Sequence, residues 1–320
     1  MLTPTQKKTA ESIINIFETG SVQGDYSMVT LIAGDTGHLT YGRSQTTLGS
    51  GNLHLLLKQY VDNAGARFKK KLAPFLSRFA NRDFSLDHDP HLHNILRASA
   101  DDPVMRETQD LFFDHTYWKP AFNSASQLGI RTPLGYAVIY DSMVHGSGVA
   151  MRNHTNSTYG SIATLGEREW VKAYVHTRRH WLATHSRSDL RQTVYRMDAF
   201  QRLIDLELWG LELPLIVRGK EISHLTLTEN PKGCYDGPIP GSRHLTLQSP
   251  VARGLDVRLL QLGLSEDGIN VLADGIYGNA SATAVKIYQN NHGLPVTGIA
   301  DIPMIANLST IREQFPPSAT

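Results

Sequence analysis

Residues 16–41 read IFETGSVQGDYSMVTLIAGDTGHLTY, and the character of the chain changes within them. Upstream, Ala10, Ile13, Ile14 and Phe17 recur at helical spacing and form one apolar stripe. Glu18 stands at the edge of that stripe, and Gly20 follows as a helix stop. Downstream, MVTLIAG and HLTYG are two β-rich runs joined by Gly34-Asp35-Thr36-Gly37, the pattern of a hairpin. A helical chain interrupted by one small sheet is therefore expected.

The rest of the chain supports a mainly α fold of the α+β kind. LLLKQYVDNAGARFKKKLAPFLSRF predicts two helices on either side of Asn63-Ala64-Gly65. VMRETQDLFFDHTYWKPAFNSASQLG, TPLGYAVIYDSMVHG, EREWVKAYVHTRRHWLATH and YRMDAFQRLIDLELWG carry apolar residues at three- and four-residue spacing. Around residues 222–250 the texture turns rich in Pro, Gly, Ser and Thr, as in a flexible linker. From 251 to 312 the chain becomes compact again, with three short helices between glycine turns, before the tail FPPSAT, expected to fray. The expected organisation is a first domain over 1–221, a linker over 222–250 and a small second domain over 251–312.

Composition sets limits on function. With 320 residues and 41% hydrophobic content, the chain has enough length for two domains and a sizeable core. Its 31 Lys and Arg nearly cancel 30 Asp and Glu, so bulk charge gives no reason to expect a nucleic-acid partner. A single cysteine, Cys234, excludes an intramolecular disulfide. The start, MLTPTQKKTAESIINIF, has only a brief apolar run and no small-residue cleavage site. No uninterrupted apolar stretch is long enough for a membrane span. Synthesis in the cytoplasm without a signal peptide, no membrane insertion and a monomeric state are expected.

Glu18 and Asp35 admit two readings. At the margin of a core a carboxyl loses hydration, and a helix C-terminus disfavours a negative charge there, which suits a general acid. Asp35 lies among backbone N–H groups and hydroxyls that favour an ionised base, and Thr40 follows in the return strand. Such a pair is what glycoside hydrolysis uses. Against it, a Glu at a helix end is ordinarily solvated, and an Asp before Thr-Gly ordinarily forms a turn.

A wider pattern favours the first reading. Glu18, then Asp35-Thr-Gly-His-Leu-Thr40, then Gly49-Ser-Gly-Asn52, together with YDSMVHG at 140–146 and YRMDAFQR at 195–202, resembles the chitosanases of glycoside hydrolase family 46 in the lysozyme-like superfamily. The resemblance spans Thr5 to Gly219 in matching order. It implies that Glu18 is the acid, Asp35 the base and Thr40 the partner that positions water, in an inverting mechanism. It implies a supporting charge network of Asp141, Arg196 and Arg202. Tyr41, Arg43, Asn52 and His145, within the same segments, are the candidate substrate contacts. Two positions depart from the family pattern: an expected Arg is Gly37, and an Asp that grips a glucosamine ammonium is Asn52. A neutral amide suits an N-acetylated sugar better than a cationic one.

The last segment is similar to three-helix peptidoglycan-binding domains. Asp256-Val257, Leu260-Gln261, Asp274-Gly275-Ile276-Tyr277-Gly278, Thr283, Ala284-Val285, Tyr288-Gln289 and Gly293-Leu294 with Gly298 carry the resemblance. Most of these are core or turn positions, and Tyr277, Asn279 and Asn291 are the candidate wall contacts. A wall-binding module beside a glycan hydrolase raises local substrate concentration.

Other signals point to structure. DHDPHLH at 87–93 has no two His at i, i+4 spacing and contains Pro90, so an exposed loop is expected rather than zinc. His176 and His180 flank Arg178 and Arg179 on what reads as an exposed basic face. No metal and no cofactor are expected. The reading is a lysozyme-like peptidoglycan hydrolase of muramidase type with bacterial peptidoglycan as partner, of phage-endolysin or effector kind, acting on the wall after release or delivery. The alternatives are a chitosanase, a lytic transglycosylase with a lone catalytic Glu, and a non-catalytic wall-binding protein.

Overall fold

The computed structural model describes residues 2–43 and 45–315, which excludes most of the FPPSAT tail. The chain forms two compact units: Met1–Gly24 with Phe112–Glu229, and Asp25–Leu111 with Asn230–Thr320.

The first unit is helical. Its opening helix, Pro4–Thr19, starts at a capping box between Thr3 and Gln6 and ends at Gly20 in the left-handed conformation. Ala10, Ile13, Ile14 and Phe17 enter the core as the stripe predicts. At the centre runs the helix Pro133–His145, whose residues Leu134 to Ser142 are all buried. A helix that is apolar all round belongs inside a protein, and Asp141 is the one charge on this buried run. The helices Glu167–Thr184 and Tyr195–Asp205 pack in the same core through Trp170, Tyr174 and Phe200. The helix Lys119–Leu128 follows a π-turn at Asp114–Trp118 and stops at Gly129.

The second unit holds the small sheet. Strands β1 (Val29–Thr30), β2 (Thr40–Tyr41) and β3 (Thr46–Thr47) are antiparallel in that order, with Thr30 opposite Thr40 and Thr40 opposite Thr47. The strands are much shorter than the two β-rich runs suggest, because Leu31 and Ile32 are exposed and leave the ladder. Asp35 therefore sits in a long loop, not a tight turn. The helix Asn52–Asp62 follows as expected, but the next one is broken around Pro74 into Lys69–Leu72 and Leu76–Ala80.

The C-terminal part of this unit is built from Leu255–Glu266, Asn279–Asn291, Ile302–Asn307 and a fourth helix, Ser309–Gln314. Two buried glutamines tie its turns. Gln261 accepts from the Gly275 N–H at 2.8 Å and donates to Asp274, Ile276 O and Ser281 at 2.9–3.1 Å. Gln289 accepts from the Thr297 and Gly298 N–H groups, both at 2.9 Å. The 222–250 stretch is not free: Ile222 ends a β-hairpin of the first unit, and Leu245 is buried and exchanges two 2.9 Å backbone hydrogen bonds with Ala300.

Gln261→Leu keeps the volume but strands the Gly275 N–H, whose acceptor is Gln261 Oε1, while Ile276 O keeps the Gly278 N–H and the Ser281 hydroxyl. A loss of about 1–3 kcal/mol is expected, the cost of one buried group left unpaired. Urea denaturation read by tyrosine fluorescence measures it.

Candidate functional site

Glu18 is the next-to-last residue of Pro4–Thr19, where the helix dipole disfavours a carboxylate. The compensation comes from Tyr195–Asp205. Arg196 donates from Nη2 to Glu18 Oε1, its guanidinium stacks over the Phe17 ring at 5.3 Å, and the Tyr195 hydroxyl donates to Phe17 O at 3.0 Å. Arg196 also donates from Nη1 to Asp141 Oδ1 at 2.7 Å. Arg178 donates to the other Asp141 oxygen at 2.5 Å, to Ser142 Oγ at 3.0 Å and to His145 Nδ1 at 3.0 Å. Two carboxylates and two guanidiniums thus alternate from the interior to the surface. Asp141 and Arg178 side chains are 0% exposed, Arg196 3% and Glu18 36%.

The electrostatics follow from this order. Burial works to raise the Asp141 carboxyl, but the charges and hydrogen bonds of Arg178 and Arg196 outweigh it and hold the group below its ordinary range. Burial would lower the Arg196 guanidinium, yet Asp141 and Glu18 together raise it. His145, half-buried and beside both arginines, is pushed down to about 4, by burial first and then by the Arg196 charge, so it is the neutral acceptor that Arg178 requires. Tyr117, on the π-turn, is raised by burial and then by the charge of Glu18.

The second unit carries the other candidates. Asp35 is exposed, and its N–H donates to Ile32 O at 3.1 Å. Its carboxylate lies over Gly37, where an added Cβ would stand 2.8 Å from Oδ2. The loop rests on Gly49, where an added Cβ would meet Thr36 O at 2.2 Å. Thr40 is buried and donates its hydroxyl to His38 O at 3.0 Å, which leaves oxygen lone pairs free to accept. Asn52 is the first residue of Asn52–Asp62 and is partly exposed.

Several sequence assignments need correction. Tyr41 is not a surface contact: its ring is 0% exposed, and its hydroxyl bonds Ser99 at 2.9 Å, because strand β2 turns it inward. Arg43 is buried and engaged with Asp110 and Tyr26, which removes it from the surface as a substrate contact. Arg202 is exposed, about 240° round its helix from Arg196, so it faces away from the network. Arg178, read as part of an exposed basic face, is wholly buried and supplies the network's second guanidinium. Its signal lies in the stripe Trp170, Tyr174, Arg178, Leu182 at four-residue spacing. Tyr277 is core, with its hydroxyl on Gly298 O at 2.8 Å, whereas Asn279 and Asn291 are exposed at the two ends of one helix.

Residues of the DHDPHLH stretch do structural work. Asp87 accepts from the Leu39 N–H at 2.9 Å and pairs with His38 Nδ1 at 2.8 Å, and Asp89 caps Pro90–Ser99. His93 bonds Leu86 O at 3.0 Å. Among the described residues, no group of three His, Cys, Asp or Glu is arranged to hold a metal.

The depressed His145 fixes an acid-stability window. Its ordinary value is 6.5 and its folded value about 4, so its contribution is present above 6.5 and is lost as pH falls towards 4. The melting temperature of the wild type should drop through that window. His145→Gln, a neutral acceptor, should flatten the dependence there; an unchanged slope would assign the acid loss to other groups.

Comparison with known proteins completes the picture. The sequence model of glycosyl hydrolase family 46 matches residues 12–215, and that of a peptidoglycan binding domain matches residues 253–308. A chitosanase of Bacillus subtilis (strain 168) is 28% identical over 242 residues, covering 71% of this chain and 86% of the relative. The family 46 chitosanase of Gynuella sunshinyii in complex with chitotetraose superposes with a TM-score of 0.57 at 25% identity, over 69% of this chain and 98% of its own. A mutant chitosanase of Bacillus subtilis MY002 complexed with 6 GlcN gives 0.58 at 26% identity, over 70% and 98%. The match takes in the second half of the helix that carries Glu18, the loop of Asp35 and the clamp of Asp141, Arg178 and Arg196. This chain is a glycoside hydrolase acting on a polysaccharide, and it belongs to glycosyl hydrolase family 46.

Proposed function

We propose that the chain cleaves a β-1,4-linked, glucosamine-containing polysaccharide of the chitosan type by an inverting mechanism. The observation that carries this is the Glu18 carboxylate, fixed by Arg196 and through it by Asp141, in a chain whose family relatives are chitosanases. Glu18 protonates the glycosidic oxygen of the leaving group. Asp35 takes a proton from the attacking water, which Thr40 helps to hold, and the C–O bond to the anomeric carbon breaks as the bond to water forms. The proton lost from water rests on Asp35, and the one given up by Glu18 leaves with the new hydroxyl. No cofactor enters this chemistry.

A second reading has its own support. Asn52 puts a neutral amide where an ammonium-gripping carboxylate is expected, and the C-terminal match supports an address at the cell wall. Peptidoglycan hydrolysis of muramidase type, with lysis of bacteria as its outcome, follows from those two features. For either substrate the module supports action at the wall, reached after release or delivery from the cell that makes the protein.

Product mass spectrometry on chitosan and on purified peptidoglycan separates the readings. The first predicts soluble glucosamine oligosaccharides from chitosan, with Glu18→Gln and Asp35→Asn each lowering the rate about 10²–10⁴-fold, the usual share of one acid or base. Reducing-end muropeptides lost in both variants would establish the second. Anhydro products with an active Asp35→Asn would contradict both. In the wild type, a product of retained anomeric configuration, read by proton NMR, would contradict the water-attack step.

A further inference from the structure

The peptidoglycan-binding module is usually read as an anchor on a tether, but here it is built into the unit that carries Asp35 and Thr40. The contacts converge on one helix, Pro90–Ser99, and the turn after it. Asn94, 2% exposed, donates to Val271 O at 2.8 Å and accepts from the Ala273 N–H at 2.9 Å, which pairs it with the module backbone as a strand would. Arg258 of the module, also 2% exposed, donates to Arg97 O at 2.9 Å and to Asp101 at 3.2 Å. At the rim, Lys71 pairs with Glu266 at 2.5 Å and Glu313 at 2.9 Å. Stranding buried groups such as these is costly, so the docked arrangement is the stable one.

This helix and the turn before it grip the strand of Thr40 from both ends. Just before it, Asp87 holds the His38 ring and the Leu39 N–H. Within its last turn, Ser99 holds the Tyr41 hydroxyl at 2.9 Å. Thr40 lies between these two points, and the Asp35 loop leads into them. The solved relatives match about 69–70% of this chain while nearly whole themselves, so the module is an addition to the shared fold.

We infer that the module is a brace for the catalytic lobe: by clamping Pro90–Ser99 it fixes Thr40 and the Asp35 loop, so catalysis on soluble substrate depends on it. The inference goes beyond wall binding and rests on the roles given above to Asp35 and Thr40. Misplacing a reacting group by about 1 Å costs about 10²-fold in rate, so even partial loosening is readable.

The test uses the full chain with Lys71→Glu plus Asn94→Ala, which sets like charges at the rim and removes the amide bridge. Lys71→Glu with Glu266→Lys and Glu313→Lys, which reverses both ion pairs, is the control. Limited proteolysis over 230–250 reports undocking, hydrogen exchange over 37–49 reports the strand and loop, and hydrolysis of soluble chitosan oligosaccharides reports catalysis. The undocked variant should be cut, exchange faster over 37–49, and lose about tenfold in kcat with KM little changed. The control should behave as the wild type does. Undocking by proteolysis with unchanged exchange over 37–49 would overturn the brace, and so would a wild type cut as fast as the variant. A wild type inert on these oligosaccharides would sink the substrate reading alone, since exchange still decides the brace.

Discussion

The constraint on which the site depends is a carboxylate with no access to water. Asp141 lies on the most buried helix of its unit, where an unpaired charge would be prohibitive. It is kept by drawing in two guanidiniums, Arg178 from Glu167–Thr184 and Arg196 from Tyr195–Asp205. Each arginine then has donors to spare. Arg178 uses them on Ser142 and His145, and Arg196 uses one on Glu18. The result ties four helices together and leaves Glu18 the outermost, part-exposed member of a charge-balanced chain. A buried ion pair is weak evidence for net stability. What this one supplies is direction, since it holds an acid where the helix end would otherwise repel it.

The other unit solves its positioning problem differently. The strands are two residues long, too short to fix a loop by ladder hydrogen bonds alone. Side chains from Asp87 and Ser99 do the fixing, with bare backbone at Gly37 and Gly49 making room for close approach. The module is tied by the same means, with glutamine and asparagine amides standing in for backbone partners.

Much of this was legible in the sequence. The stripe that ends at Glu18, the helices around Asp141 and Arg196, and the glycine-punctuated module all follow from spacing and turn chemistry. The relation to family 46 was legible as well, from motifs in matching order. Long-range pairing was not. That Tyr41 points inward depends on which face of a two-residue strand meets Ser99, and alternation over two residues carries no information about that. Arg43 looks like a surface cation until Asp110 is found beside it. Arg178 was readable from its four-residue spacing with Tyr174 and Leu182, but its neighbours Arg179 and His180 suggested a solvated face. The ordering of 222–250 was illegible because its partners, Asp101 and Ala300, lie far away in the chain. The choice of substrate stayed open for a similar reason: Asn52 and the C-terminal module pull away from chitosan, whereas the relatives point to it.

The role proposed for Asp141 is to hold Glu18 for catalysis through Arg196. The most direct measurement is the kcat and KM of Asp141→Asn, taken at a temperature where circular dichroism shows the variant folded. The expected kcat is lower by about 10²-fold with KM nearly unchanged, because the acid is misplaced while the binding surface remains. A folded variant with wild-type kcat would contradict it.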